Sequence, residues 1–248
     1  MDGKEFKKYG NRGAYHWEAL ARSVKKHNPY LSARYDIVLE LLDKAGLSGR
    51  RVLDIGCGDA ALSYLMVKAG WQVSGLDYSG TGLGLARQKF GENKARASFL
   101  RGDSCIIPVK DNSLDAVVAA DIIEHLAEPE RMLEEIRRVL KKGGAAGITT
   151  PVKIAEIPGD PEHVKEFTET EYRAILEKHF GKVEIKLSHP RAFVEKYKKV
   201  YRFMGVLGRM RPYKYWYNTA SAYLNRNPFH MPAGKSFYTQ MSALARKS

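Results

Sequence analysis

Aspartates and glycines cluster after the first short apolar segment, in the run VLDIGCGD at 52–59. Gly56 and Gly58 bracket one residue, a pattern that lets backbone approach a ligand closely, since no Cβ stands in the way. A dinucleotide-binding turn would need a third glycine at position 61, which is alanine here. Asp54 and Asp59 would also repel a pyrophosphate. These acids favour a ligand that carries a cationic ammonium group.

Further polar residues follow the next apolar segments. Asp77 stands nineteen positions after Gly58, a distance typical of a carboxylate that binds a ribose diol. Tyr78 offers a flat face on which a base could stack, and a carboxylate at Asp103 could accept from an exocyclic amine. Asp121 ends the fourth apolar segment. Together these residues indicate a site for a nucleoside with a cationic substituent.

Alternating apolar segments and amphipathic stretches must position these residues. The stretch 114–120 (LDAVVAA) is continuously apolar, as expected for a strand buried on both faces. The pattern predicts an α/β, Rossmann-like, doubly wound, mainly parallel sheet of seven strands with helices on both faces. Such a sheet binds its ligand at the carboxyl ends of its strands. The predicted strands are 51–55, 71–76, 98–101, 114–120, 145–150, 182–188 and 236–245. The predicted helices are 31–44, 60–69, 83–90, 129–140 and 169–179, the fourth ended by a glycine cap at 141–144.

Four motifs in order make the chain resemble a class I S-adenosylmethionine (SAM)-dependent methyltransferase, in the small-molecule (methyltransferase type 11-like) group. They are VLDIGCGDA at 52–60, GLDYS at 75–79, GDSCIIPVKDNSLDAVVAADIIEHL at 102–126 and LEEIRRVLKKGG at 133–144. The resemblance covers about residues 45–188. It implies SAM as the cofactor and S-adenosylhomocysteine as its product. The alternating glycines at 79–84 depart from the family pattern, and we interpret them as the start of a helix rather than a second nucleotide loop.

The resemblance also implies roles for single residues. Asp54, Gly56 and Gly58 would line the methionine moiety, with Cys57 as a small filler between the glycines. Asp77 would hold the ribose hydroxyls, Asp103 and Ser104 the adenine edge, and Asp121 the region beside the methyl group. An aromatic N-terminal segment is expected to fold over the cofactor as a lid, with Tyr15, His16 and Trp17 as the candidates, and the alternative is simple packing of an amphipathic helix. We predict no metal site.

Two histidines are candidates for the acceptor pocket or for a general base. His125 follows the fourth strand in DIIEH, and His163 lies on the loop after the fifth strand. The expected alternatives are that His125 only caps a turn and that an amine acceptor needs no base. The Asn/Asp-Pro-Pro-aromatic motif of nucleobase amine methylation is missing, since residues 120–123 read ADII. Cys57 and Cys105 precede the positions where the nucleophilic cysteine of cytosine carbon-5 methylation would stand. Both absences disfavour a nucleic-acid substrate. The acceptor atom, whether oxygen, nitrogen or carbon, stays open.

The final quarter of the chain has a different composition. The formal net charge is +13, and residues 187–248 contain twelve basic residues and one acid, Glu195. They also contain twelve of the 26 aromatic residues. Helical spacing of apolar residues within 190–211 predicts a helix with one basic face and one aromatic-aliphatic face, as at a membrane interface. The alternatives are a cap that covers the acceptor pocket and a surface that binds RNA.

We therefore divide the chain into an N-terminal helical lid (1–45), a SAM-binding core (46–188), a basic aromatic helical insertion (189–234) and a last core strand (235–248). Composition excludes disorder and a disulfide scaffold, and no signal peptide or membrane span is expected, which favours a cytoplasmic location with possible peripheral membrane contact. The sequence predicts methyl transfer to a small or lipid-like acceptor. An RNA-directed enzyme or RNA-binding protein, or a SAM-binding module without turnover, is the alternative, and the oligomeric state is open.

Overall fold

The computed structural model describes residues 8–47, 49–158, 160–199, 201–202, 209–210, 212–224, 226–230 and 237–248. Strands and helices alternate from the first strand onward. The helices are α1 Lys8–Arg12, α2 Pro29–Lys44, α3 Ala61–Lys68, α4 Gly80–Glu92, α5 Pro129–Val139, α6 Glu169–His179, α7 Arg191–Lys198 and α8 Pro212–Leu224, with 3-10 turns at Tyr15–Leu20 and Ile123–His125. The strands are β1 Arg51–Ile55, β2 Gln72–Asp77, β3 Ser98–Arg101, β4 Leu114–Ala120, β5 Leu140–Pro151, β6 Val183–Pro190, β7 Tyr201–Arg202, β8 Arg209–Met210 and β9 Tyr238–Arg246.

Seven strands form one sheet in the order β3-β2-β1-β4-β5-β9-β6. β9 is antiparallel to both of its neighbours, and the other pairs in the sheet are parallel. The strand order reverses between β1 and β4, so their carboxyl ends open a crevice between them. The predicted α/β class and seven-stranded sheet are confirmed.

Successive residues of the central strands serve two separate cores. Leu53 and Ile55 of β1 are fully buried with the apolar faces of α5 and α6, whereas Val52 packs with those of α2 and α3. This alternation follows from the two-residue period of a strand covered by helices on both faces. The sheet is therefore held rigidly on both sides, and its strand ends can support a site.

The predicted glycine cap after α5 is wrong, because β5 begins at Leu140, directly after the helix. The extra residues form an irregular bulge: the register passes from Leu114 opposite Leu140 to Ala116 opposite Ala145. Gly143 adopts a positive φ of 75°, and its N–H donates to the Lys247 carbonyl at 2.9 Å, while the Lys247 N–H donates to the Gly144 carbonyl at 2.9 Å. The backbone after α5 is therefore hydrogen-bonded to neighbouring segments of the protein instead of forming the predicted helix cap.

The predicted long helix within 190–211 is wrong beyond Lys198, where α7 ends. Tyr201–Arg202 instead pairs with Arg209–Met210 as a two-stranded ladder, and residues 200, 203–208 and 211 lie outside the described residues. The stripe on α7 packs inward, with Val194 and Phe193 against Phe229. The apolar stripe of α7 is therefore covered by the protein itself. Among the described residues, no helix is both long and apolar enough to cross a membrane.

Candidate active site

A cavity of about 1010 Å³ lies at the carboxyl ends of β1 to β5 and extends beneath α1, α2 and α7. Every residue predicted to bind or cover the cofactor or to face the acceptor lines it, with the exceptions of Gly58 and Trp17. The lining residues among them are Tyr15, His16, Asp54, Gly56, Cys57, Asp77, Tyr78, Asp103, Ser104, Asp121, His125 and His163. The fold thus brings together residues that are spread over some 150 positions of sequence.

The loop after β1 needs its glycines. Gly56 and Gly58 have φ angles of +68° and +53°, in the region that side chains with a Cβ rarely adopt. A Cβ at Gly58 would also overlap the hydroxyl of Tyr9, which α1 places against the loop. The Gly58 N–H donates to Asp77 Oδ2 at 2.7 Å, tying the loop to the end of β2. Gly58 therefore shapes the site without lining it.

Buried carboxylates give one end of the cavity its electrostatic character. Asp54 is 2% exposed, and burial raises its pKa to about 7 although Ser63 Oγ donates to it at 2.5 Å. Burial likewise raises the pKa of Asp77, which accepts a 2.7 Å bond from the Ser79 N–H. A cationic ligand beside these groups would stabilise their charged forms. These two carboxylates therefore fit the ammonium and ribose groups of SAM, both of which donate hydrogen bonds.

The residues predicted to surround the base follow β2 and β3. Arg101 donates from Nε to the Tyr78 carbonyl at 3.1 Å, which links the two strand ends. Asp103 Oδ1 accepts from the Cys105 N–H at 2.8 Å, and Ser104 is buried beside it. These contacts fix the loop that carries Asp103 and Ser104. Their contacts with adenine stay predictions.

The N-terminal segment covers the loop as expected, but not with all three predicted side chains. The Tyr15 and His16 rings lie 4.0 Å apart and line the cavity, and the His16 N–H donates to Asp59 Oδ2 at 3.0 Å. Trp17 faces elsewhere: its indole donates to the Asp59 carbonyl at 2.8 Å and its ring packs 5.0 Å from that of Tyr64. The predicted role of Trp17 in the lid is wrong, because its ring fills the gap between the 3-10 turn and α3.

Sequence reasoning missed the environment of Asp121. Arg34 of α2 forms an ion pair with this carboxylate. Asp121 has a φ of +52°, and its Oδ1 accepts from Thr149 Oγ1 at 2.8 Å and from Gln240 Nε2 at 2.6 Å. Residues from two strands and one helix therefore hold Asp121 in a strained conformation, and Asp121 lines the cavity.

Glu124, His125 and His163 form the other end of the cavity. Glu124 is 1% exposed, and burial raises its pKa to about 7. The His125 and His163 rings lie 4.9 Å apart, and burial lowers the pKa of His125. The two predicted histidines thus lie together, with a buried carboxylate that sequence reasoning left without a role.

The loop that carries His163 is fixed to this turn by its backbone. The N–H groups of Val164 and Lys165 donate to the Glu124 carbonyl at 2.8 and 3.1 Å. Lys8 of α1 forms ion pairs with Asp160 and Glu162 at 2.9 and 2.7 Å. The loop therefore connects the N-terminal cover of the cavity with the end of β4.

A doubly wound sheet with a glycine turn after β1 and acids after β1, β2 and β3 defines a protein of the nucleoside-cofactor class. Residues 53–148 match the family model of the methyltransferase domain, as the motifs predicted. The similarity to proteins named as SAM-dependent methyltransferases supports the predicted SAM cofactor.

Named relatives agree with this assignment. The chain is 31% identical over 153 residues to a probable S-adenosylmethionine-dependent methyltransferase of Mycolicibacterium smegmatis, a match that covers 60% of this chain and 58% of that protein. It is 28% identical over 151 residues to a ubiquinone biosynthesis O-methyltransferase of Vibrio cholerae, covering 60% of each. The chain thus spans less than two thirds of the length of these relatives.

A solved structure extends the likeness beyond the matched sequence. The crystal structure of a SAM-dependent methyltransferase from Archaeoglobus fulgidus superimposes with a TM-score of 0.58 at 21% identity, covering 86% of this chain and 94% of that one. At this identity the likeness shows the fold. The fold therefore includes the regions on both sides of the matched domain.

Proposed function

We propose that this protein transfers the methyl group of SAM to a small or lipid-like acceptor. The observation that carries the proposal is the continuous cavity, which reaches from Asp54 and Asp77 at one end to His125 and His163 at the other. Its volume of about 1010 Å³ lies at the upper end of the range for small-molecule sites, so two ligands can occupy it together. A module that only stores SAM would need the first end alone.

The residues of this chain act mainly by positioning the cofactor and the acceptor. The sulfonium of SAM supplies an activated methyl group when the cofactor is bound. The acids at β1 and β2 hold the cofactor, and Tyr9, Tyr15 and His16 cover it against water. Arg34 and Gln240 keep Asp121 between the two ends of the cavity. His125 and His163 lie at the end proposed for the acceptor. The methyl group can therefore pass from the sulfonium to an acceptor bound there without a large movement of the protein.

A lipid-like acceptor is supported by the rim of the cavity. Ile157 and Ile154, on the same loop, are 83% and 58% exposed and still line the cavity, where the buried Val194 of α7 also lies. Exposed aliphatic side chains at an entrance favour an acceptor with an apolar portion. The relative named for ubiquinone biosynthesis is consistent with an acceptor of that kind.

Cofactor binding gives the first test. Asp77→Ala should weaken SAM binding by about 2–3 kcal/mol, or roughly 30- to 150-fold, because the charged acceptor of the ribose and the anchor of the Gly58 N–H are lost together. Isothermal titration calorimetry with SAM and with S-adenosylhomocysteine measures the change, and NAD should give no heat of binding.

The variant Asp77→Asn is the matched control for the loop. Its amide oxygen can still accept from one backbone N–H, so we expect a smaller loss of affinity than in the alanine variant. Full SAM affinity in Asp77→Ala would contradict the assignment of the ribose site to the end of β2. Binding of NAD in place of SAM would contradict the proposed function itself.

We further propose that the protein meets its acceptor at an anionic membrane surface. The α8 helix exposes an aromatic face, on which Trp216 is 71% and Tyr223 is 62% exposed, beside Tyr215 and Leu224. Lys196 and Lys198 are exposed on α7, the helix that packs against α8. Aromatic rings with neighbouring lysines suit the headgroup region of a bilayer.

Flotation with vesicles tests the membrane proposal. Vesicles that contain phosphatidylserine should carry the protein upward, and vesicles of phosphatidylcholine alone should carry little, since each basic residue near an anionic surface contributes about 1 kcal/mol. The double change Trp216→Ser and Tyr223→Ser should return most of the protein to the bottom fraction. Ile106→Ser, which removes an exposed apolar side chain outside α8, is the control and should float like the unchanged protein. Failure to float with either vesicle, or competition by RNA with a steep salt dependence, would contradict the proposal.

A further inference from the structure

Three potential metal ligands meet at the acceptor end of the cavity. A carboxylate oxygen of Glu124 and one ring nitrogen each of His125 and His163 all lie within 4.8 Å of one another. The three residues come from two segments, the 3-10 turn after β4 and the loop after β5. We propose that Glu124, His125 and His163 bind a divalent transition-metal ion.

The surroundings of these side chains are those of a metal site. Nδ1 of His163 donates to Glu166 Oε1 at 2.8 Å, and Nδ1 of His125 donates to the Glu162 carbonyl at 2.8 Å, so Nε2 of each ring is the ligand atom in this proposal. Thr150 Oγ1 donates to Glu124 Oε2 at 3.1 Å. Ligating histidines characteristically donate their second N–H to a carboxylate or carbonyl, which orients the ring and strengthens the bond to the metal. Both histidines here have such an acceptor, and the Thr150 hydroxyl orients the Glu124 carboxylate.

The backbone holds the two segments together before any ion binds. Two N–H groups of the His163 loop donate to the Glu124 carbonyl, and the ion pairs of Lys8 hold the same loop from the other side. Ligands at about 2.0–2.2 Å from an ion lie closer to one another than the present limit of 4.8 Å. The site therefore needs small side-chain rotations, not a rearrangement of the chain.

Ligand chemistry selects the kind of ion. Two imidazoles and one carboxylate suit Mn²⁺, Fe²⁺, Co²⁺ or Zn²⁺, whereas Mg²⁺ and Ca²⁺ prefer sites made of oxygen alone. Three protein ligands leave coordination positions open, and all three residues line the cavity. In the proposed methyl transfer, on which this step rests, an oxygen atom of the acceptor takes one open position. The substrate class is then an acceptor with an oxygen donor at or beside the methylated atom.

Titration with Co²⁺ tests the site directly, without SAM and without turnover. The protein, freed of metal by a chelator, should bind one Co²⁺ with visible d–d absorption, and Zn²⁺ should displace it. Mg²⁺ at the same concentration should not. His163→Ala and Glu124→Gln should abolish the absorption, and Glu166→Gln should weaken binding roughly 10- to 100-fold by releasing the His163 ring.

The variant His179→Gln is the matched control, because His179 lies at the end of α6 and does not line the cavity. It should bind Co²⁺ like the unchanged protein. Circular dichroism and SAM calorimetry show whether each variant is folded. No saturable Co²⁺ absorption in the unchanged protein, or equal absorption in the folded Glu124 and His163 variants, would overturn the proposal. Such a result leaves methyl transfer intact, whereas Co²⁺ binding without SAM binding would reject the proposed function and keep the metal site.

Discussion

Replacing His163 with alanine should lower the turnover number by roughly 10²- to 10⁴-fold, while SAM affinity stays nearly unchanged. The reason is the division of the cavity: His163 lies beside His125 at the acceptor end, and the acids that fit SAM lie at the other end. The same loss is expected whether the imidazole takes a proton from the acceptor or binds an ion that holds it. Single-turnover kinetics with radiolabelled SAM, combined with calorimetry, separates the two quantities.

The variant His179→Gln should retain its turnover number, since this histidine is outside the cavity. An unchanged rate in both His163→Ala and His125→Ala would contradict the assignment of this end to the acceptor. A parallel loss of SAM affinity would instead mean that the loop after β5 closes on the cofactor.

The central sheet was accessible from sequence because its signals are local. The strand 114–120 is buried on both faces and reads as one apolar run, and its predicted bounds match β4. The glycine turn and the acids at the strand ends were accessible for the same reason, because each follows a strand directly. Ser79 caps α4 and accepts from the Gly82 N–H at 3.1 Å, which confirms that 79–84 begins a helix.

Residues that reach the site from distant elements could not be predicted. Arg34 lies 87 positions before its partner Asp121, on a helix whose neighbouring residues are mainly apolar. Its one sequence signal is a charge within an apolar helical stretch, between the buried Ala33 and Tyr35. The error within 190–211 has a different cause: helical spacing continues past Lys198, but the chain there pairs as strands. Local periodicity is a weak guide where tertiary pairing competes with it.

The contact between Gly58 and Tyr9 leads to the second large expected effect. Gly58→Ala should weaken SAM binding at least roughly 30-fold, because a side chain at φ +53° costs about 1–2 kcal/mol and the overlap with the Tyr9 hydroxyl adds about 1–3 kcal/mol. The free protein can relieve this strain by moving the loop away from Tyr9. Binding must bring the loop back to Asp77, so the relieved strain reappears as lost affinity. Calorimetry with SAM measures that loss.

A matched glycine separates this local effect from a general one. Gly84 lies inside α4, and a Cβ there meets no atom within 4 Å. Gly84→Ala should leave SAM affinity unchanged and raise the melting temperature slightly, since alanine stabilises a helix interior by about 0.5–1 kcal/mol relative to glycine. Tyr9→Ala combined with Gly58→Ala removes the overlap but not the backbone strain, and should recover part of the affinity. If Gly58→Ala alone bound SAM normally, Tyr9 could not lie against the glycine turn in the bound protein, and the cover over the cofactor would have to open on binding rather than close.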